Sequence, residues 1–330
     1  MTQSHKTPPN NTFRKPPTIV ILGPTGAGKS AVAVELAKML NGEVISCDSM
    51  QVYRGMDIGT ATPSTEERCG IRHHLINVLS IHERYDANRF VRYAKSILSN
   101  LAGRKTPAII AGGSGMYAKA LVYGFDMQPS SPDIFEQVLN EYQKKDGKAK
   151  LQREVLKSVP EAPNDILDNP RRLQRAVEII RLGGTPEFNT PKNRQKPLPG
   201  IVQFIIIPER QHFEKSLKHR TKSMISAGWI SETSVLLESG LTETPTARQA
   251  LGYSEIRQYL SGEIVSKDEL CQRIITKTRQ YARRQRTWFR HQHPGAIKLT
   301  ADSTTTASDI ASEISRSCYQ VINNFFSNPT

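Results

Sequence analysis

Residues 18–30 read Thr18-Ile-Val-Ile-Leu-Gly-Pro-Thr-Gly-Ala-Gly-Lys-Ser30. Thr18 to Leu22 is an unbroken, β-branched apolar run of the kind that marks a strand buried on both faces. Gly23, Pro24, Thr25, Gly26, Ala27, Gly28, Lys29 and Ser30 then satisfy the pattern G-x-x-x-x-G-K-[ST]. Glycines let backbone N–H groups converge on an anion at a helix N-terminus; Lys29 adds a point charge, and the Ser30 hydroxyl can hold Mg2+. The Ala, Val and Leu positions of residues 31–40 suit a buried helix. The stretch therefore predicts a strand, an anion-gripping loop and a helix, with a di- or triphosphate as ligand.

Working outward, Glu43 to Cys47 reads as a second strand, ended by Asp48 and Ser49. Residues Asp86 to Leu101 place Phe90, Val91, Ala94, Ile97, Leu98 and Leu101 at helical spacing. Pro107 to Ala111 is a third buried strand, followed by Gly112-Gly113-Ser114-Gly115. Ile201 to Ile207 is another core strand, helices follow to about His291, and Ala296 to Leu299 closes the series. Strands alternating with helices predict the α/β class, a P-loop-containing parallel sheet flanked by helices. Residues 126–199 break this texture with charges, recurrent prolines and helical stretches, and read as a helical insertion domain. The expected organisation is a disordered tail over 1–17, a discontinuous catalytic core over 18–125 and 200–300, the insertion, and a C-terminal tail or helix over 301–330.

The 330 residues carry 45 Lys and Arg against 31 Asp and Glu, a formal charge of +14 that points to a polyanionic partner. No apolar run approaches the roughly 18 residues a membrane span needs, so no membrane is expected. Cys47, Cys69, Cys271 and Cys318 form no CxxC pair and lack histidines at metal spacing, which argues against zinc and for a reducing, cytoplasmic compartment. Nucleotide hydrolases usually end an aliphatic strand in an acid that helps hold Mg2+, whereas Ala111 is followed by Gly112 and Gly113. The nearest carboxylate at a strand end is Asp48. Ligands of doubly wound sheets sit beyond the C-terminal strand ends, so Asp48, Gly112–Gly115 and the phosphate loop are expected to face one crevice. That pairing suits transfer onto an acceptor that must lose a proton. A kinase using ATP and an RNA-binding ATPase remain open on these grounds alone. On a helix, Arg279, Arg283, Arg286 and Arg290 form one stripe beside Tyr281, Arg284 and Trp288. That face suits phosphate contact and base stacking on RNA, or else simply solvation.

Taken in order, the motifs resemble those of the tRNA dimethylallyltransferases, also called tRNA isopentenyltransferases. They are the GPTGAGKS loop, Ile45-Ser-Cys-Asp-Ser-Met-Gln-Val-Tyr-Arg-Gly-Met-Asp-Ile-Gly-Thr-Ala61, His73-His74-Leu75-Ile76, Tyr85-Asp86-Ala87 with Arg89-Phe90, and Gly112-Gly113-Ser114-Gly115-Met116-Tyr117. Asn169-Pro170-Arg171-Arg172, Ala247-Arg-Gln-Ala-Leu-Gly-Tyr253 and Lys277-Thr-Arg-Gln-Tyr-Ala-Arg-Arg-Gln-Arg-Thr-Trp-Phe-Arg290 complete the set. The resemblance implies transfer of a dimethylallyl group from dimethylallyl diphosphate to N6 of the adenosine just 3′ of a tRNA anticodon, with Mg2+ as cofactor. It implies Asp48 as the proton acceptor and Thr25 and Arg220 as diphosphate-binding partners of the loop. It also implies contacts to the tRNA anticodon stem-loop from Asp48, Ser49, Met50, Gln51, Ser114, Arg171, Arg172, Leu173, Gln174, Arg175, Arg248, Gln249, Gly252, Tyr253, Arg279, Arg283, Arg286 and Arg290. Ser114 and Met116 stand where the family usually has Thr and Leu; Ser keeps the hydroxyl. The zinc finger of eukaryotic relatives has no counterpart in this sequence, so a bacterial type without zinc is expected; a monomer is expected separately.

Overall fold

The computed structural model describes residues 16–124, 128, 130–186 and 196–327. Residues 1–15 of the expected N-terminal tail, residues 126, 127, 129 and 187–195 of the expected insertion, and residues 328–330 lie outside them. Among the described residues the strands are β1 (Thr18–Leu22), β2 (Glu43–Ser46), β3 (His73–His74), β4 (Ala108–Gly112), β5 (Ile201–Pro208) and β6 (Ile297–Ala301). All pairings are parallel, in the order β3-β2-β4-β1-β5-β6. This is the parallel, helix-flanked sheet that the apolar runs predict. In its register Leu22 lies beside Gly112 and Ser46 beside Ala111. The segments after β1, β2 and β4 therefore leave the sheet at one rim, where the phosphate loop, Asp48 and Gly113–Gly115 emerge. The edge strand β3 has no apolar run to announce it. It is pinned where His74 Nε2 meets Glu43 Oε2 at 2.6 Å, with Arg104 Nη1 donating to Glu43 Oε1 at 2.7 Å.

Helices α1 (Lys29–Leu40), α2 (Ala87–Gly103) and α3 (Gly115–Tyr123) alternate with the first strands. Asp86 caps α2 by accepting the Arg89 N–H at 3.0 Å. Ile19 and Ile21 point to one face of the sheet, where they join Val32, Ala33, Leu36 and Ala37 of α1 and Phe204 and Ile206 of β5.

Residues 125–195 form a separate compact unit by internal contacts. Its described part holds α4 (Pro132–Tyr142), α5 (Gly147–Ser158), α6 (Asn164–Leu167) and α7 (Pro170–Arg181). Val138, Leu151, Val155, Leu173, Ala176 and Val177 make its core. Arg181 ties α7 to α4 and α5 through Glu141 and Glu154, at 3.0 and 2.9 Å, and this pairing holds the Glu141 carboxyl down to about 2.

The chain then returns through β5 to α8 (Arg210–Ser226), α9 (Trp229–Glu238), α10 (Tyr253–Leu260), α11 (Lys267–Gln292) and α12 (Ala307–Ser327). Ile310, Ala311 and Ile314 of α12 close the face of the sheet already covered by α1. The long α11 is capped by Ser266, which accepts the Glu269 N–H at 3.2 Å, and buries Leu270, Ile274, Ala282, Gln285 and Phe289. At its far end buried His293 donates from Nδ1 to Gln203 Oε1 of β5 at 2.7 Å and so anchors the helix to the sheet.

Burial holds the His293 imidazole neutral, lowering its pKa to about 4. The unfolded chain protonates the same group near pH 6.5, so stability drops as pH falls from 6.5 toward 4. A loss of about 2 kcal/mol between pH 7 and pH 5 is expected for this group. Unfolding midpoints in denaturant at those two pH values, for the parent and for His293→Gln, measure it; the acid sensitivity is smaller in the variant.

Candidate active site

Beyond β1 the chain turns back on itself, with Ala27 N–H donating to Pro24 O at 3.2 Å. Gly28 takes φ +75°, a backbone setting that other residues adopt only at a cost, and α1 starts from it without any side-chain cap. No side chain caps the first N–H groups of α1, an arrangement that suits an anion. Lys29 Nζ donates to Pro24 O at 2.9 Å, folded over its own loop. Burial brings the Lys29 ammonium down to about 8, with Arg220 pushing the same way and Asp48 opposing.

Arg220, half-buried on α8, aims Nη1 at Thr25 Oγ1, 3.4 Å away. Burial lowers its pKa and the Asp48 charge opposes the shift. Asp48 follows β2 and is not a helix cap: its Oδ1 accepts the N–H groups of Met50 at 2.8 Å and Gln51 at 3.4 Å within a turn. Its Oδ2 has no hydrogen-bond partner among the described residues. The charge of this carboxylate acts on Lys29, Arg220 and Tyr281 alike. On α11, burial pushes the Tyr281 phenol up to about 12, with Asp48 adding to the shift.

Ser114 locks the segment around the acid. Its backbone N–H donates to Cys47 O at 3.2 Å, and its hydroxyl oxygen accepts the Ser49 N–H at 3.0 Å. Ser49, Met50 and Ser114 are half-buried beside Asp48.

Several residues with an expected RNA role are occupied by the fold instead. Gln51 accepts from Ser46 Oγ at 2.7 Å and donates to Ala61 O at 3.1 Å, bracing its own loop. Gly252 is buried with Trp229 packed against it. Tyr253 is buried edge-on to Trp229 and gives its hydroxyl proton to Glu232 Oε1 at 2.7 Å. Leu173 belongs to the core of the helical unit, Gln174 is buried, and Arg175 is committed to Glu178 at 2.6 Å and to Gln128 O at 2.8 Å. Leu173, Gln174 and Tyr253 are buried, whereas Gln51 and Arg175 are half-buried with their polar groups paired inside the fold. Arg171 and Arg172 lie exposed at the N-terminal end of α7, Arg172 paired with Asp165; Arg248 and Gln249 are exposed on a short turn.

The arginine stripe divides in the same way. Arg279 is paired with Glu214 of α8 at 2.6 Å, and Arg286 lies 5.4 Å over the Phe213 ring. Arg283 and Arg290 are exposed. Trp288 packs against Gly115 of the glycine loop and is half-buried.

Two residues absent from the sequence-based site organise it. Glu232 of α9 accepts three consecutive loop N–H groups, from Asp57, Ile58 and Gly59, at 2.9, 2.6 and 3.0 Å. A carboxylate taking three backbone donors and a phenol is a strong local brace, and it fixes the segment that runs on from Asp48. Gln285 of α11 receives the Thr25 N–H and reaches Gly113. Glu232 stands in none of the quoted motifs; Gln285 lies within the Lys277–Arg290 motif, where the arginines around it draw the reading.

As for Mg2+, the described residues hold no cluster of three or more acids, histidines or cysteines able to bind a metal by themselves. The Ser30 hydroxyl heads α1, and one hydroxyl beside a phosphate loop suits a cation that keeps water and ligand phosphate as most of its shell. The residues present thus fit Mg2+.

Comparison with known proteins places these residues in context. The chain matches the IPP transferase family over residues 51–292. It is 37% identical to the tRNA dimethylallyltransferase of Kocuria rhizophila over 83% of this chain and 86% of that protein. It is 37% identical to that of Thermus thermophilus over 84% of this chain and 90% of that protein. Among solved structures, it is similar to the full-length tRNA isopentenylpyrophosphate transferase of Bacillus halodurans, with TM-score 0.68 and 31% identity, covering 95% of this chain and 100% of that one. It is also similar to a eukaryotic dimethylallyltransferase solved acting on tRNA, with TM-score 0.73 and 26% identity, covering 95% of this chain and 80% of that one. No helix among the described residues is long and apolar enough to cross a membrane.

Proposed function

The chain belongs to the IPP transferase family and transfers a dimethylallyl group to tRNA, and from that premise we propose how its residues divide the work. The donor is dimethylallyl diphosphate, gripped by Gly23–Ser30, and the acceptor is N6 of the adenosine just 3′ of the anticodon. The observation that carries this reading is geometric: Arg220 reaches Thr25 of the loop, Gln285 joins Thr25 to Gly113, and Ser114 bonds the residues on either side of Asp48.

The exocyclic amine of adenine is a poor nucleophile because its lone pair is delocalised into the ring. As N6 forms its bond to the allylic carbon, the carbon–oxygen bond breaks, its electron pair leaves with diphosphate, and the N6 proton passes to Asp48. Because the allylic cation is resonance-stabilised, much of the barrier lies in releasing diphosphate. The loop amides, Thr25, Lys29 and Arg220 stabilise that charge as it grows. Mg2+ held on Ser30 supplies further neutralisation of the leaving diphosphate when bound. No ATP is consumed.

For the base to reach Asp48 it must leave its stack, which costs less in a single-stranded loop than in a duplex. Ser49, Met50 and Ser114 line the acceptor side, and Arg283, Arg286, Arg290, Arg248 and Gln249 contact the stem-loop. Arg171 and Arg172 give the helical unit a share of the tRNA contact.

The test is mass spectrometry of nucleosides from tRNA incubated with the protein, Mg2+ and dimethylallyl diphosphate. An adenosine carrying one dimethylallyl group at N6, dependent on all three components, is expected. Its absence, or phosphate transfer from labelled ATP instead, overturns the reading.

A further inference from the structure

Gln285 is the one side chain among the described residues that hydrogen-bonds both the phosphate loop and the glycine loop. Its Oε1 accepts the Thr25 N–H at 2.8 Å, and its Nε2 donates to Gly113 O at 2.9 Å. It is 6% exposed; the bond to Gly113 is buried and the bond to Thr25 partly so. The two partners also fix the amide's orientation: an N–H demands the oxygen and a carbonyl demands the NH2, so a flipped amide fails at both ends. The fit is tight, since a Cβ on Gly113 would lie 2.5 Å from Nε2.

What the amide joins is informative. Gly113 is covalently followed by Ser114, which bonds Cys47 through its N–H and Ser49 through its hydroxyl, the residues on either side of Asp48. Thr25, at the other end, also receives Arg220. A continuous path thus runs from the leaving-group loop through Gln285 and Ser114 to the proposed proton acceptor. The Tyr281 phenol, one turn earlier on α11, lies within the field of the same carboxylate.

We propose that Gln285 is a positioning residue that sets the phosphate loop and the Asp48 segment at the spacing the transfer requires. The inference deepens the proposed function and rests on it. Acting through Asp48, Gln285 contributes to the chemical step and not to the binding of either substrate. A displacement of about 1 Å in reacting groups costs about a hundredfold in rate, and loss of one of several restraints falls somewhat short of that. Gln285→Ala therefore lowers kcat by about 30-fold, with KM for tRNA and for dimethylallyl diphosphate changed by less than about threefold. Gln285→Glu keeps the shape and the Thr25 bond but sets an oxygen against the Gly113 carbonyl, and it also lowers kcat.

The deciding measurement is a double-mutant cycle on kcat with Asp48→Asn. Where Gln285 acts by placing Asp48, its removal costs at most about twofold once the carboxylate is gone. A general structural role costs the same factor in both backgrounds, and that result overturns the proposal. So does a Gln285→Ala enzyme with parental kcat. If thermal melting shows the alanine variant unfolded, the cycle is read with Gln285→Glu under the same criteria. A parent that transfers no dimethylallyl group overturns the proposed function, and an Asp48→Asn enzyme with parental turnover overturns the role of Asp48. Each shows before Gln285 is varied and removes this inference with it.

Discussion

Replacement of Asp48 by alanine lowers turnover by about 10²- to 10⁴-fold while tRNA still binds, the range a lost general base produces. The amine of adenine gains positive character as its bond to carbon forms, and without a nearby acceptor the proton is retained against a rising barrier. Asp48 also holds its own turn, accepting the Met50 and Gln51 N–H groups through Oδ1. Alanine removes both roles at once, so Asp48→Asn is the sharper variant: its amide oxygen can keep the turn while the basicity is gone. Single-turnover rates with saturating tRNA and donor, alongside equilibrium tRNA binding, separate the two. Asparagine as slow as alanine, with tRNA affinity retained, assigns the loss to proton transfer. Parental turnover in the asparagine variant removes Asp48 from the chemistry.

How much of this is legible in the sequence depends on how far apart the partners stand. β1, β2, β4 and β5 are short apolar runs that punctuate themselves, and the phosphate loop is a local motif whose glycines, lysine and serine carry their reason with them. Asp48 is visible as the first acid after a strand. The strand order is not, because β5 reaches its place beside β1 only through pairing across the whole chain. β3, two residues long, is set by a cross-strand histidine–glutamate pair and not by hydrophobic pattern. Gln285 lies 260 positions from Thr25 and 172 from Gly113, and Glu232 lies 173 to 175 positions from the N–H groups it holds. A buried glutamine between two arginines reads, in sequence, as one more polar residue of a charged helix.

The same limit applies to Tyr253, Gly252 and the Leu173–Arg175 segment. The resemblance puts them near RNA because they stand inside motifs, but a motif also contains the residues that hold it in shape. Burial separates the two groups: Tyr253 has its hydroxyl on Glu232, and Leu173 has no exposed surface at all.

Changing Arg283, Arg286 and Arg290 together to glutamine weakens tRNA binding by about a hundredfold at low salt and lowers the slope of log K against log salt by about two. The argument is counterion release: each arginine that neutralises a phosphate displaces a condensed cation, and each phosphate left without its arginine takes about 0.7 to 0.9 from the slope. Helical periodicity puts four arginines on one face of α11, but the fold does not leave them equivalent. Arg279 already faces Glu214 at 2.6 Å, so its charge is compensated before any RNA arrives, whereas Arg283 and Arg290 are exposed. Arg286 divides its side chain between the Phe213 ring and solvent, and glutamine preserves part of that packing. Arg279→Gln is therefore the control on the same helix, with little change in slope expected. Filter binding of an anticodon stem-loop across roughly 50 to 200 mM salt gives both slopes. A triple variant with the parental slope turns this face away from RNA, and an Arg279→Gln variant that flattens it as strongly shows that Glu214 yields its partner to phosphate.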